Sequence, residues 1–167
     1  VCIASSDSDD NQDKTDSCFG AGDFWIIKLD VAGVIEWDVT IGGDSIDFAD
    51  DIVQTATGEY YCAGMSASGI SGVKTEPLIG KRDFWVIKLD ATGNILWQNT
   101  IGGDSLDEIN DMILTPDGGV LCGGYSKSGI SGDKTEACLG EEDFWLVKLD
   151  ALGNIQWQNT IGGSSRD

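Results

Sequence analysis

The 167-residue chain has no histidine, two prolines, two methionines and only ten lysines and arginines. Without imidazole there is no Ser-His or Cys-His nucleophile, and the commonest zinc ligand is gone. Set against 29 acids, the few cations leave a net charge of −19. Such a surface repels phosphate backbones and anionic lipid, so no nucleic-acid partner is expected. No apolar run approaches the ~20 residues a spanning helix requires, so no membrane insertion is expected either. Nor does any segment keep a 3.6-residue apolar period between caps, and helix should be nearly absent. The excess of acid suits divalent cations, basic partners or solubility in salt. Glycine, at 23 residues, is the abundant type and points to many tight turns between short strands.

The chain repeats itself. Asp-Phe-Trp recurs at Asp23, Asp83 and Asp143, and Lys-Leu-Asp at Lys28, Lys88 and Lys148. Trp37, Trp97 and Trp157 keep the same phase, as do the Ile-Gly-Gly triplets at Ile41, Ile101 and Ile161. The period is 60 with no insertion or deletion, and residues 83–103 match 143–163 at 17 of 21 positions. A fixed period of that length marks a repeat architecture.

Each unit reads as four short strands. Phe84–Leu89 is a near-continuous apolar run, expected for a strand covered on both faces. Asp90-Ala91-Thr92-Gly93 is a turn, with Asp bonding its own backbone and Gly at positive φ. Ile95, Trp97, Asn99 and Ile101 alternate with residues that become polar in the last copy (Gln156, Gln158, Thr160), giving a half-exposed strand. A third strand lies around Asp111–Thr115, and a small-residue fourth runs from Val120 to Tyr125 after the Pro116–Gly119 turn. Four antiparallel strands at fixed period predict an all-β fold, a β-propeller fragment with four-stranded antiparallel blades of 60-residue period. The Trp strand belongs at the outer rim and the small-residue strand nearer the axis. The expected organisation is a partial blade at 1–43 lacking its first strand, complete blades at 44–103 and 104–163, and the start of another at 164–167. A ring needs ~4–8 blades, so the chain is expected to pack against further blades of a longer chain or of other copies, with any export signal outside this stretch.

The unit D-F-W-[VIL]-[IV]-K-L-D-x-x-G-N-I-x-W-Q-N-T-I-G-G, with Asp-x-x-Asp after it and S-G-I-S-G-x-K-T-E later, resembles the delta-60-type propeller repeats of large secreted Bacteroidota proteins that carry type IX sorting domains. The resemblance spans essentially the whole chain. It implies an extracellular or cell-surface β-propeller and brings no catalytic residues with it. A weaker similarity, of Leu89–Trp97 to quinone-dehydrogenase blades, is one residue shorter between Asp and Trp and implies shared architecture without the cofactor.

Three residue sets are candidates for function. Cys2, Cys62 and Cys122 are repeat equivalents, while Cys18 and Cys138 are equivalents in the long loop where the middle copy has Leu78. Cys2–Cys18 and Cys122–Cys138 bridges are one reading, each contributing roughly 3 kcal/mol and placing the protein outside the cytosol. Small buried hydrophobes are the other reading. The carboxylates Asp44, Asp47, Asp51, Asp104, Asp107 and Asp111 supply several oxygens within a few residues, which calcium accepts in a forgiving geometry. Turn capping explains their recurrence equally, so no cofactor is required and calcium is the one to consider. Lastly, the long loops hold Lys74, Thr75, Glu76 and Lys134, Thr135, Glu136. There the unrepeated pairs Lys81, Arg82 and Glu141, Glu142 vary the charge from copy to copy, as a recognition surface does.

Together with the resemblance, which implies the setting, these features lead to the expectation of an extracellular, non-catalytic β-propeller module for adhesion, recognition or scaffolding at the bacterial cell surface, whose partner is a protein or glycan. A glycan-binding or glycan-processing propeller is the alternative. Cleavage would need two carboxylates ~5–9.5 Å apart in one pocket, and no pair stands out among the acids. A plain structural spacer is the third reading.

Overall fold

The computed structural model describes residues 1–10 and 12–167, which form strands and no helix. In chain order the strands are β1 (Cys2–Ser6), β2 (Asp23–Leu29), β3 (Ile35–Ile41), β4 (Asp47–Gln54), β5 (Tyr60–Ser66), β6 (Asp83–Leu89), β7 (Ile95–Ile101), β8 (Asp107–Leu114), β9 (Val120–Ser126), β10 (Asp143–Leu149) and β11 (Ile155–Ile161). Every pairing between these strands is antiparallel and joins neighbours in sequence, giving the sheets β1-β2-β3, β4-β5-β6-β7 and β8-β9-β10-β11. The second sheet falls within residues 44–103 and the third within 104–163, while 1–43 carries three strands.

The turns follow from local chemistry. Asp90 Oδ1 accepts the amides of Thr92 (2.8 Å) and Asn94 (3.0 Å), and Gly93 closes the turn at φ 89°. Those bonds, with the Asn94 side chain first among them, hold the exposed Asp90 carboxyl well below the usual range. Asp150 does the same one repeat later.

Side chains alternate across the middle sheet and fill two cores. Tyr60, Cys62, Trp85, Ile87 and Leu89 meet Phe24, Ile26 and Ile41 of the first sheet. Tyr61, Ala63, Phe84, Val86 and Ile101 meet Ile109, Met112, Val120 and Trp145 of the third. The apolar run of β6 thus has a neighbour on each face. One contact repeats at both junctions: Phe24 on Trp85 with ring centroids 5.2 Å apart, and Phe84 on Trp145 at 5.0 Å. Each such buried aromatic is worth roughly 1.5–3 kcal/mol of burial.

The two edges of the stack differ. On one, here called the inner edge, β4 lies against β1 and β2, and β8 against β4, β5 and β6. Amides of these edge strands reach the preceding sheet: Ala49 N–H donates to Ser5 Oγ (2.9 Å), and Met112 N–H to Asp51 Oδ2 (3.1 Å). Sealing an edge this way removes an aggregation hazard. On the far edge long side chains span the gap. Trp37 stacks over the Gly93 turn, where an added Cβ would come within 3.2 Å of its ring, and Trp97 covers Gly153 likewise. Trp97 Nε1 also donates to Ala151 O (3.3 Å), and Asn99 Nδ2 to Gly153 O (2.7 Å).

Both inner-edge strands carry a bulge. The register of β4 on β5 shifts between Ala49 and Asp51, and that of β8 on β9 between Ile109 and Asp111, leaving Asp50 and Asn110 as the extra residues. Opposite the bulges stand Gly64 and Gly124, where any Cβ would collide with the Phe48 or Glu108 carbonyl. The small-residue strand is small because a neighbouring backbone presses on it.

Candidate functional site

Most recurring acids belong to the scaffold. Asp47 is fully buried, and its Oδ2 accepts the Gly43 amide (2.7 Å) and the Ser68 hydroxyl (2.8 Å). Asp107 repeats this with Gly103 and Ser128, both at 2.8 Å. Asp44 accepts from Ser71 Oγ (2.9 Å), the Asp104 amide donates to Ser131 Oγ (2.8 Å), and Asp111 accepts the Met112 amide (2.8 Å). Among the described residues no three His, Cys, Asp or Glu side chains group as a metal site; of the six calcium candidates, Asp44 and Asp104 lie in the loops before β4 and β8, and Asp47, Asp51, Asp107 and Asp111 on those strands.

A second buried acid escaped the sequence reading. Asp23, Asp83 and Asp143, which open each Asp-Phe-Trp, are fully buried and accept the amides of Phe19 (2.5 Å), Ile79 (2.6 Å) and Leu139. They clamp the end of the long loop, four residues upstream, onto the sheet. Desolvation, with the nearby Asp107 charge adding to it, pushes Asp83 up to about 6. The motif was visible in sequence, but next to two apolar residues its Asp gave no sign of pointing inward.

The expected Cys2–Cys18 and Cys122–Cys138 bridges are not formed: all five cysteines are free thiols. Cys18 Sγ donates to the Ser6 carbonyl (2.7 Å) and Cys138 Sγ to that of Ser126 (3.0 Å). Cys2 and Cys122 sit four residues before those serines on β1 and β9, ~13 Å away at ~3.3 Å per residue. That exceeds the ~7 Å a disulfide spans between Cα atoms. Cys62 and Cys122 are buried, and burial pushes the Cys122 thiol up to about 12. They behave as small hydrophobes, the other reading of the spacing.

The loop residues expected to face partners divide sharply. Lys74 and Lys134 are buried, with Nζ 5.2 and 5.0 Å from the ring centroids of Trp85 and Trp145. Each ammonium also bonds a strand hydroxyl, Thr100 or Thr160. Burial lowers the Lys74 ammonium's pKa against the opposing charges of Asp47, Glu76 and Asp83. Glu76 and Glu136 accept the amides of Thr100 (2.5 Å) and Thr160 (2.6 Å). The Thr75 and Thr135 amides donate to Gln98 (3.2 Å) and Gln158 (3.1 Å). The Lys-Thr-Glu motif is therefore a strap holding the loop to the half-exposed strand, a correction to its expected role in recognition. Glu142 is also internal, paired with Lys127 (3.0 Å) and Arg166 (2.9 Å). Lys81 and Glu141 are exposed.

Arg82 is the exception. It lies at the inner edge and pairs with Glu108 of the next sheet at 2.6 Å, while Glu108 accepts the Tyr125 hydroxyl. Two cavities open beside it. One, about 470 Å³, lies between the first and second sheets and is lined by Ser5, Gly22, Ile46, Phe48, Met65 and Arg82. The other, about 270 Å³, lies between the second and third and includes Asp50, Glu108 and Asn110. The positions that build this region are those at which the repeats differ: Phe48 against Glu108, Asp50 against Asn110, Met65 against Ser5 and Tyr125, Arg82 against Gly22 and Glu142. The larger cavity exists because the first sheet has serine and glycine where the second has methionine and arginine. Its volume is in the ~300–1,000 Å³ range typical of ligand pockets. Scaffold chemistry repeats, whereas several side chains that differ between copies meet in this groove.

No family model and no curated protein matches the chain.

Proposed function

We propose that the three sheets are consecutive blades of a β-propeller, and that the array is an extracellular, non-catalytic recognition module at a cell surface. The blade reading is supported by inner-edge strands that pack together and a far edge bridged by tryptophans, the wedge that sheets around a common axis require. The face of the third sheet supports it too. There Phe144 and Ile161 are 53% and 50% exposed, whereas their equivalents Phe84 and Ile101 are fully buried by the next sheet. A further blade, from the same chain or another copy, fits that face. The extracellular setting rests on the repeat's resemblance to secreted propellers and on a net charge of −19, which favours solubility over contact with nucleic acid.

The observation that carries the recognition role is the gathering of unrepeated residues at the inner-edge groove, while the repeated acids and lysines are consumed by caps and straps. A catalytic site needs a unique, poised pair of groups, and the recurring acids are engaged with backbone amides. Exposure of the immobilised protein to a panel of extracellular peptides, proteins and glycans, with mass spectrometry of the ligands afterwards, tests this. Saturable binding with ligands recovered intact is the expected outcome. Turnover of a polysaccharide or peptide overturns the non-catalytic reading, and an absence of binding across the panel overturns recognition.

A further inference from the structure

Phe48, Met65 and Arg82 line both inner-edge cavities, so the two form one groove across the second sheet. We propose that this groove binds a basic side chain of an extended peptide, with the stem of a lysine or arginine along Phe48 and Met65 and its charged head at Asp50. This deepens the recognition reading and rests on it.

Phe48 keeps 51% of its surface in water, and beside it Ile46 is also exposed while Met65 is buried. An apolar wall with one aromatic face suits the methylene stem of a long cationic side chain, and the ring adds attraction for its charge. Asp50 is the extra residue of the β4 bulge, and a bulge re-aims its side chain away from the ladder. Here that side chain lines the groove together with Asn110.

The charge is uncompensated. The one cation lining the groove, Arg82, is held by Glu108 at 2.6 Å. Crowding at the inner edge, then the charges of Glu108 and Asp51, all raise the proton affinity of Asp50, to about 6, and no cation opposes them. Asp50 itself still meets solvent, so an incoming ammonium can reach it. At a net charge of −19 the whole surface steers cations toward the groove and anions away. An anionic ligand would have to displace Glu108 from Arg82, and a neutral sugar would leave the Asp50 charge unanswered.

The test is fluorescence anisotropy at pH 7.5 with a labelled Gly-Ser nonapeptide carrying one central lysine, against the same peptide with glutamine there. The lysine peptide should bind at least about tenfold more tightly. Asp50→Asn and Phe48→Ala should each weaken it about tenfold, while Glu36→Gln, an equal change in net charge at an exposed site on β3, should leave it within about twofold. Thermal unfolding of each variant confirms that the fold persists. The proposal is overturned if Asp50→Asn behaves like Glu36→Gln, or if the glutamine peptide binds equally well. Should neither peptide bind while a glycan or another panel ligand does, the ligand class is wrong and the recognition reading stands. Should nothing in either set bind, both fall.

Discussion

The middle and third sheets carry nearly the same sequence and live in different surroundings. Phe84 and Phe144 are equivalent residues on β6 and β10, yet the first is fully buried and the second is 53% exposed. Ile101 and Ile161 differ in the same way. Nothing intrinsic to the residues separates them, because what differs is whether a sheet stands beyond. Burial in such an array is set by the neighbour, so the stabilisation a repeat delivers belongs to the junction and not to the unit.

The comparison is most directly broken by substituting both phenylalanines. Phe84→Ala should cost ~3–5 kcal/mol, since it empties a packed site against Trp145. Phe144→Ala should cost only ~1 kcal/mol, with half of the ring already in water. Urea unfolding of the two variants at low protein concentration reads the difference, and equal costs would mean that another sheet covers Phe144 in solution.

A smaller effect separates the two bulges. Asp50 and Asn110 are equivalent extra residues, one ionisable and one not. The folded pKa of Asp50, about 6, lies above its ordinary 3.8. The stability it contributes is therefore complete below pH ~4 and lost as pH rises through ~6. Asp50→Asn, which copies the third sheet into the second, should gain on the order of 1 kcal/mol at pH 7.5. That figure is discounted from the full shift because the side chain meets solvent. The gain should vanish near pH 4 in a pH series of unfolding midpoints.

The gentlest contrast involves thiols. Cys2 is exposed on the three-stranded sheet, whereas its equivalents Cys62 and Cys122 are buried in the junctions. Ellman's reagent should label Cys2 within minutes and the two buried thiols only on unfolding. Non-reducing electrophoresis and peptide mapping should recover no Cys122–Cys138 bridge, and finding one would overturn the placement of Cys138 on Ser126.

Much of the fold was legible because the repeat supplied the same evidence up to three times. The two-sided run of β6, the one-sided Trp strand and the Asp-to-Gly turn each had a physical signature in a few consecutive residues. The site was harder to read. Lys74 in a loop beside Thr and Glu looks solvent-facing, and only the Trp85 ring above it, eleven positions on, explains why it goes inside. The bulges were hidden because an extra residue shows only when two strands are paired. The groove was half visible: the copies differ at Arg82, but nothing local reveals that Phe48, Met65 and Asp50 stand beside it. Cysteine spacing misled for the same reason, since sixteen residues of chain say nothing about which end of a strand the loop returns to.

The tryptophan that rides on the following turn has a consequence for how such a chain can change length. Trp37 needs Gly93, and Trp97 needs Gly153, so each unit holds one half of a fitting whose other half is encoded fifty-six positions downstream, in the next unit. Gain or loss of whole units preserves every fitting, whereas a partial duplication would strand an indole over a side chain it cannot accommodate. The unbroken spacing of the copies is what that constraint leaves behind.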